Sequence, residues 1–236
     1  MYEEKPNDPL FVEAELTPLT EQQAAIVLRT SFKNLIGHYP SIESLAILWA
    51  QSALETGRWK NGSIYNWNFG NVKRLPDQKY TSYKCSEIIN GKNQWFYPYH
   101  PQTFFAAWET AEEGSLAYLN FLTKKKRYAG AWQEVLNGNP IKYCAALKSA
   151  GYFTADLVLY TKGVVSLTEE FKRKFANFDW PQEEIEIDTS ELNDIQYIEL
   201  IPPSLEQTPT TTTVPLEEIK QDTFSLILEF FKNFFK

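Results

Sequence analysis

The sequence predicts a mainly α-helical protein of the α+β class, with one small β-hairpin lobe, a C-terminal linker and a C-terminal amphipathic helix. Apolar residues recur at helical spacing over most of residues 20–176, and at two-residue spacing only within 78–105. The chain has 236 residues, of which 43% are hydrophobic and 22% charged. This composition is typical of a globular domain and excludes collagen-like, fully disordered and disulfide-scaffold proteins.

Capping residues predict the first two helices. Thr20 and Gln23 form a capping box at the start of one helix, which residues 37–40 end. Ser41 caps the second helix, which is apolar on nearly every side and should therefore be the buried central helix. Gly57 follows it, where the end of a helix needs a residue that tolerates positive φ.

The β lobe is predicted from two alternating runs on either side of Asn90-Gly91. That dipeptide favours a two-residue hairpin turn, because both of its residues tolerate positive φ. The turn would pair Ile89 with Lys92 and would place Glu87 opposite Gln94. Helical spacing then returns, and it predicts four further helices, at residues 107–122, 128–137, 139–150 and 156–176.

Changes in composition divide the chain into four parts. Residues 1–20 look like an acidic N-terminal arm without a core of its own, and 21–180 form the folded body. Residues 181–215 are an acidic linker rich in proline and threonine. Residues 216–236 predict an amphipathic helix whose apolar stripe consists of Ile219, Ile227, Phe230, Phe231, Phe234 and Phe235.

The charge is unevenly distributed. The net charge of the chain is −7, but residues 22–180 contain 19 Lys and Arg against 12 Asp and Glu. A basic body between acidic ends indicates either attraction to a polyanion, such as an anionic cell-wall polymer, or simply a solvated surface. No nucleic-acid-binding motif is present, and we expect no nucleic-acid partner.

Several classes of site have no support in the sequence. The two cysteines, Cys85 and Cys144, cannot form a disulfide framework, and His38 and His100 lack metal-ligand spacing. The sequence has no phosphate-binding loop, dinucleotide fingerprint or Ser/His/Asp context. We therefore expect no metal and no cofactor. No apolar run reaches the ~18 residues that a membrane-spanning helix needs.

Glu55 is the first candidate for chemistry. It lies in the last turn of the apolar second helix, where loss of hydration should raise the pKa of its carboxyl. A carboxyl that stays protonated near neutral pH can act as a general acid on a glycosidic oxygen. The alternative is an ordinary surface glutamate at a helix end. Residues 65–73, YNWNFGNVK, follow; their rings and amides suit a carbohydrate or, equally, a loop anchored by core aromatics.

Together these segments resemble glycoside hydrolase family 73, the bacterial and phage glucosaminidase domain. The matching segments are LAILWAQSALETG at residues 45–57, NWNFGNVK at 66–73, SEIINGK at 86–92 and AGYFTAD at 150–156. They resemble the family's A-Q-x-x-L-E-S/T-G helix end, its N-x-F-G-x-K loop, its β-lobe E-Y-x-x-G-K and its A-G-Y-A-T-D segment, in that order. The resemblance implies a lysozyme-like fold and cleavage of the β-1,4-linked glycan of peptidoglycan.

The resemblance also implies site residues. Glu55 would be the catalytic acid, and Glu87 would activate water or stabilise the oxocarbenium ion, unless it is only an exposed strand residue. Tyr152 would contact substrate or Glu55, unless it is an ordinary core tyrosine. The residues expected to bind the substrate are Gln51, Trp59, Asn66, Asn68 and Phe69.

One departure keeps other functions open. Residues 58–61, RWKN, replace the W-G-K-S that usually follows the catalytic glutamate. The bond that is cut therefore stays open between a glucosaminidase and a muramidase or lytic transglycosylase. A wall-binding or virion structural protein that has lost turnover is a further alternative.

We interpret residues 216–236 as a segment that binds another protein. Their apolar stripe could lie in a membrane interface, pack on the body or dock onto another chain; the acidic flank disfavours an anionic membrane. We favour docking onto a partner such as a virion component. The N-terminus lacks the basic start and apolar run of a signal peptide. We therefore expect a phage-borne enzyme that is virion-associated, or released by another route, and that acts on the bacterial cell wall.

Overall fold

The computed structural model describes residues 4–60, 63–89 and 92–181. Within these ranges the chain forms six α-helices, four short strands and two 3₁₀ turns, at Pro101–Thr103 and Lys126–Tyr128. The helices are α1 Glu21–Ile36, α2 Ile42–Glu55, α3 Ala111–Lys124, α4 Ala129–Leu136, α5 Pro140–Ser149 and α6 Leu157–Lys174. The strands are β1 Tyr80–Ser82, β2 Cys85–Ile89, β3 Lys92–Phe96 and β4 Phe104–Ala106. The predicted class, a mainly helical body with a small β lobe, is confirmed.

The predicted helix ends of α1 and α2 are confirmed. Thr20 and Gln23 make the reciprocal contacts of a capping box, and Gly37 ends α1 with φ of 89°. The Ser41 side chain accepts from the backbone N–H of Ser44 at the start of α2. Gly57, just after α2, has φ of 57°, so the residue that tolerates this conformation stands where the chain turns.

Helix α2 is the central helix of the body. Every residue from Ser44 to Leu54 is buried, which agrees with the apolar pattern on nearly all sides of this helix. Its largest side chain, Trp49, packs against Trp59 and Phe171, with ring centroids 5.2 and 5.4 Å apart. Because α6 packs along α2, residues at the C-terminal end of α2 face side chains near the start of α6.

The β lobe contains two separate two-stranded antiparallel sheets. Strands β2 and β3 have the predicted register, with Ile89 opposite Lys92 and Glu87 opposite Gln94. The predicted single strand over 80–89 is wrong, since it is interrupted after Ser82 and its first part pairs with β4. Tyr83, at the break, stacks on Phe105 of β4 with a centroid distance of 4.3 Å, and this contact diverts the chain. The turn residues 90–91 lie outside the described residues.

The later helices agree with prediction except at one end. The helix predicted from residue 107 begins at Ala111, because residues 104–106 pair with β1 and Thr110 is the N-cap. Helices α4, α5 and α6 begin and end within two residues of the predicted bounds. No helix among the described residues has both the length and the apolar character needed to cross a bilayer.

Residues 4–20, predicted as an N-terminal arm without a core of its own, pack on the body. The backbone N–H of Val12 donates to the carbonyl of Tyr80 at 2.9 Å, and that of Leu19 donates to the carbonyl of Trp59 at 3.0 Å. Phe11 packs edge-on against Tyr80. The segment therefore belongs to the body, because the body provides partners for its backbone groups. The predicted linker, apart from residue 181, and the helix at 216–236 lie outside the described residues.

Candidate active site

Glu55 is the last residue of α2, and its side chain reaches α6. The hydroxyl of Tyr160 donates to Oε1 of Glu55 at 2.7 Å. Burial raises the pKa of Glu55 from 4.5 to about 7; hydrogen bonds from Tyr160 and Gln51 oppose the rise, and the charge of Glu87 adds to it. The pKa expected from the apolar setting of Glu55 is therefore present, with loss of hydration as its main cause.

Tyr160 makes the two oxygens of the Glu55 carboxyl unequal. Burial and the nearby charge of Glu55 raise the pKa of Tyr160 well above its ordinary value. The phenol therefore stays protonated and is the donor of the hydrogen bond to Glu55. Oε1 is thus occupied as an acceptor, which favours Oε2 as the oxygen that carries the proton when Glu55 is protonated. Tyr160 was missed by the sequence analysis, because it belongs to no recognised segment and meets Glu55 only through the packing of α6 on α2.

Gln51 lies one turn before Glu55 and is fully buried. Its Oε1 accepts hydrogen bonds from Tyr118 and from Tyr143, the latter at 3.2 Å. Nε2 is buried and has no hydrogen-bond partner in the described part of the chain. It lies close enough to Glu55 and Tyr152 to favour their ionised forms. The predicted sugar contact is not supported, since Gln51 has no exposed surface.

Tyr152 connects two of the recognised segments. Its hydroxyl donates to the carbonyl of Gly70 at 2.9 Å. A Cβ at position 70 would lie 2.7 Å from the Tyr118 ring and 3.1 Å from the Tyr152 hydroxyl, so this approach requires a glycine. Tyr152 is close enough for the charge of Glu55 to raise its pKa, although the Glu55 carboxyl bonds Tyr160 instead. Its predicted contact with substrate stays a prediction.

The two asparagines predicted to bind sugar hold the backbone instead. Asn68 is 2% exposed; its Nδ2 donates to the carbonyls of Val72 and Ala106 at 2.9 and 3.0 Å, and its Oδ1 accepts from the N–H of Val72 at 2.8 Å. Asn66 likewise bonds the backbone of Glu13 and Glu15. Both amides are used within the protein, which corrects the expectation that they bind hydroxyl or acetamido groups.

The two aromatic residues predicted to stack on sugar, Trp59 and Phe69, are core residues. Neither has any exposed surface. The indole N–H of Trp59 donates to Oγ of Ser52 at 3.1 Å. Stacking on a sugar needs an accessible ring face, so this expectation is corrected as well. The preceding residue, Arg58, forms ion pairs with Glu21 and Glu170, so the unusual arginine at this position has a structural role.

Glu87 brings a second carboxylate to the region from the β lobe. It lies in β2 and pairs with Lys73, whose Nζ is 2.9 Å from Oε1 of Glu87. The charge of Glu87 raises the pKa of Glu55, so the two carboxyl groups interact electrostatically. The described residues contain no group of three His, Cys, Asp or Glu side chains arranged to hold a metal.

A family comparison agrees with this arrangement, in which a half-buried glutamate with a raised pKa ends the central helix and a second carboxylate lies on a β lobe. The model of the glucosaminidase family, described as mannosyl-glycoprotein endo-β-N-acetylglucosaminidase, matches residues 36–199. The chain belongs to the glucosaminidase family. It is a glycoside hydrolase, and its helical body carries the small β lobe that the sequence predicted.

Solved structures similar to this glucosaminidase-family chain are distant. A peptidoglycan hydrolase mutant from Sphingomonas sp. A1 is 19% identical over 66% of this chain and 92% of its own, with a TM-score of 0.48. The catalytic domain of the autolysin Auto from Listeria monocytogenes is 21% identical over 66% and 86%, with a TM-score of 0.47. The glycoside hydrolase domain of Salmonella typhimurium FlgJ is 18% identical over 67% and 92%, with a TM-score of 0.43. No curated protein matches the sequence.

Proposed function

We propose that this glycoside hydrolase cleaves the β-1,4 glycan backbone of bacterial peptidoglycan as an endo-β-N-acetylglucosaminidase, with Glu55 as the general acid. The observation that carries the proposal is the Glu55 carboxyl, whose pKa of about 7 keeps a proton available near neutral pH. The segments that resemble family 73 support peptidoglycan as the substrate. The excess of Lys and Arg in residues 22–180 suits a polymer that carries carboxylates.

In the first step Glu55 gives its proton to the glycosidic oxygen. The bond between that oxygen and the anomeric carbon breaks, the leaving sugar departs as a neutral alcohol, and positive charge develops on the remaining ring. At pH 6, one unit below the pKa, about 90% of Glu55 carries the proton. The Tyr160 hydrogen bond orients the carboxyl and stabilises the carboxylate left after transfer.

In the second step Glu87 supports the attack of water on the oxocarbenium-like centre. It accepts a proton from water or stabilises the positive ring electrostatically, and a β-lobe carboxylate whose charge acts on Glu55 suits either role. A covalent intermediate would require the two carboxyl groups ~5 Å apart, and a direct water attack a gap of ~6.5–9.5 Å. The acetamido group of the substrate is a third candidate nucleophile. The anomeric form of the first product, followed by NMR, distinguishes inversion from retention.

The proposed activity is tested on purified cell walls. The wild-type protein should release soluble fragments, and Glu55→Gln should lower the rate by at least ~1000-fold, because the amide cannot donate an acidic proton. Glu169→Gln on the exposed face of α6 is the matched control and should keep full activity. Hydrolysis by Glu55→Gln at the wild-type rate would refute the assignment of the acid.

The sugar at the end of each released fragment distinguishes the three activities that the unusual 58–61 segment leaves open. A glucosaminidase leaves reducing N-acetylglucosamine, a muramidase leaves reducing N-acetylmuramic acid, and a lytic transglycosylase leaves the 1,6-anhydro form. Mass spectrometry of the digest separates the three. Tight binding to insoluble walls without soluble products would favour a non-catalytic wall-binding or virion protein.

A protein partner and a virion location belong to the same proposal. They are motivated by the apolar stripe predicted at residues 216–236, which lie outside the described residues. If a virion component holds this segment, the full chain should co-purify with particles and a chain ending at residue 215 should not. Equal recovery of both chains would contradict this.

A further inference from the structure

We propose that Lys73 is a positioning residue whose ammonium group holds the Glu87 carboxylate and the β2–β3 hairpin in the orientation that glycan hydrolysis needs. The inference rests on the proposed function, because Glu87 is given a role in the reaction there. It adds a residue to which that function assigned no role.

The Lys73 ammonium joins three separate parts of the structure. Its Nζ lies 2.9 Å from Oε1 of Glu87 in β2 and donates to the carbonyl of Gln102, in the 3₁₀ turn, at 2.7 Å. It also lies 4.1 Å from the ring centroid of Phe105 in β4. The backbone of Lys73 itself bridges to Phe105, so the stem of the side chain starts from the body and its tip reaches the hairpin.

Stacked rings define where the ammonium can lie. Tyr65, Tyr83 and Phe105 stack in a column, with centroid distances of 4.5 and 4.3 Å. Tyr83 is fixed by a 2.6 Å hydrogen bond from its hydroxyl to Oδ1 of Asn71. Because Tyr83 covers one face of Phe105, the ammonium of Lys73 occupies the other, where the π electrons attract a cation. A flexible lysine stem is thus held at a defined place by packing.

The hairpin needs such an anchor. Strands β2 and β3 pair with each other and with no other strand of the described residues. A two-stranded hairpin is only marginally stable by itself, and residues 92–94 of β3 are exposed. The thiol of Cys85, at the start of β2, also donates to the Gln102 carbonyl, at 3.3 Å. The base of the hairpin is therefore tied to the same carbonyl that Lys73 binds, and Glu87 lies two residues further along β2.

The positive charge of Lys73 also helps to keep the hairpin close to Glu55. The charge of Glu87 acts on Glu55, and the two carboxyl groups repel once Glu55 has given up its proton. The Lys73 ammonium offsets the charge of Glu87 at the side of the hairpin. Without it, repulsion would favour a hairpin position further from Glu55.

A double-mutant cycle tests whether Lys73 acts through Glu87. Rates on solubilised glycan strands would be measured for wild type, Lys73→Met, Glu87→Gln and the double variant. We expect Lys73→Met to lower kcat roughly tenfold in the wild-type background and less than about twofold in the Glu87→Gln background, because its target is then already lost. Lys73→Arg should recover most of the rate, since a cation again reaches Glu87. Equal losses in both backgrounds, or no loss at all, would overturn the proposal.

Hydrogen exchange provides a readout that does not depend on activity. In Lys73→Met the amides of β2 and β3 should exchange about three- to tenfold faster, while those of α2 and α6 stay unchanged. Lys79→Met, which removes a comparable exposed ion pair to Glu109, is the matched control and should leave hairpin exchange unchanged. If the wild type proves inactive on walls, the proposed function fails, but exchange still decides whether Lys73 anchors the hairpin. Unchanged hairpin exchange in Lys73→Met would overturn the anchor.

Discussion

Removing the Tyr160 hydroxyl should raise the pKa of Glu55 further. Tyr160→Phe keeps the ring, which stacks on Phe153 at a centroid distance of 3.7 Å, and deletes only the 2.7 Å hydrogen bond to Oε1 of Glu55. That bond favours the ionised carboxylate, so its loss favours the protonated form. The direction of the change follows from the geometry alone.

The size of the shift follows from the strength of such a bond. A hydrogen bond to a charged group contributes about 1.5–3 kcal/mol, and one pKa unit corresponds to about 1.4 kcal/mol, which gives one to two units. Glu55 is partly exposed, so water replaces part of the lost bond and we expect about one unit. The pKa of Glu55 should therefore move from about 7 to about 8 in the variant.

The assay is the pH dependence of kcat/KM on solubilised glycan strands. Activity requires protonated Glu55, so it falls as pH rises through the pKa, and this alkaline limb should move about one unit upward in Tyr160→Phe. At pH 6 the rate should fall a few-fold, because the carboxyl has lost a contact that orients it. Tyr39→Phe, at a ring that packs under Arg29 away from the site, should leave the profile unchanged. An alkaline limb that stays in place, or moves to lower pH, would refute this account of Glu55.

Three further changes test the site and its support. Glu87→Gln should move the alkaline limb of kcat/KM down by less than about one unit, because the Glu87 charge is a minor cause of the raised pKa of Glu55; an upward shift would contradict the interaction. Glu55→Gln should be about 3 kcal/mol more stable than wild type in urea at pH 8 and equally stable at pH 4, since the folded state holds the Glu55 proton more tightly and loses stability as pH rises from 4.5 to about 7. If the free energies of unfolding of Glu55→Gln and wild type differ by the same amount at both pH values, stability is not coupled to the protonation of Glu55. Asn68→Ala should cost about 3 kcal/mol in urea unfolding, because it removes three hydrogen bonds to the backbone and leaves the buried N–H of Val72 without its partner, whereas a sugar contact would change KM and leave stability unaltered.

Features of the candidate site were predictable when they depended on a single local segment of the sequence. Glu55 at the end of an apolar helix indicated a raised pKa, and the alternation around Asn90-Gly91 predicted the register that carries Glu87. The substrate-binding expectations failed for a different reason. Asn68 and Trp59 have the residue types of a sugar site, but the same types also hold loops and fill cores, and only burial and partners distinguish these roles.

The sequence alone determined the number of helices in the body, the caps of α1 and α2, the hairpin register and the family, because each depends on residues close together in the chain. Tertiary structure decided what surrounds Glu55. Tyr160 lies 105 positions away, and it meets the carboxyl because α6 packs along α2. Packing likewise broke the strand predicted over 80–89 and placed residues 4–20 on the body. Contacts between distant segments depend on how whole faces bury their apolar surface, and no local pattern records that choice.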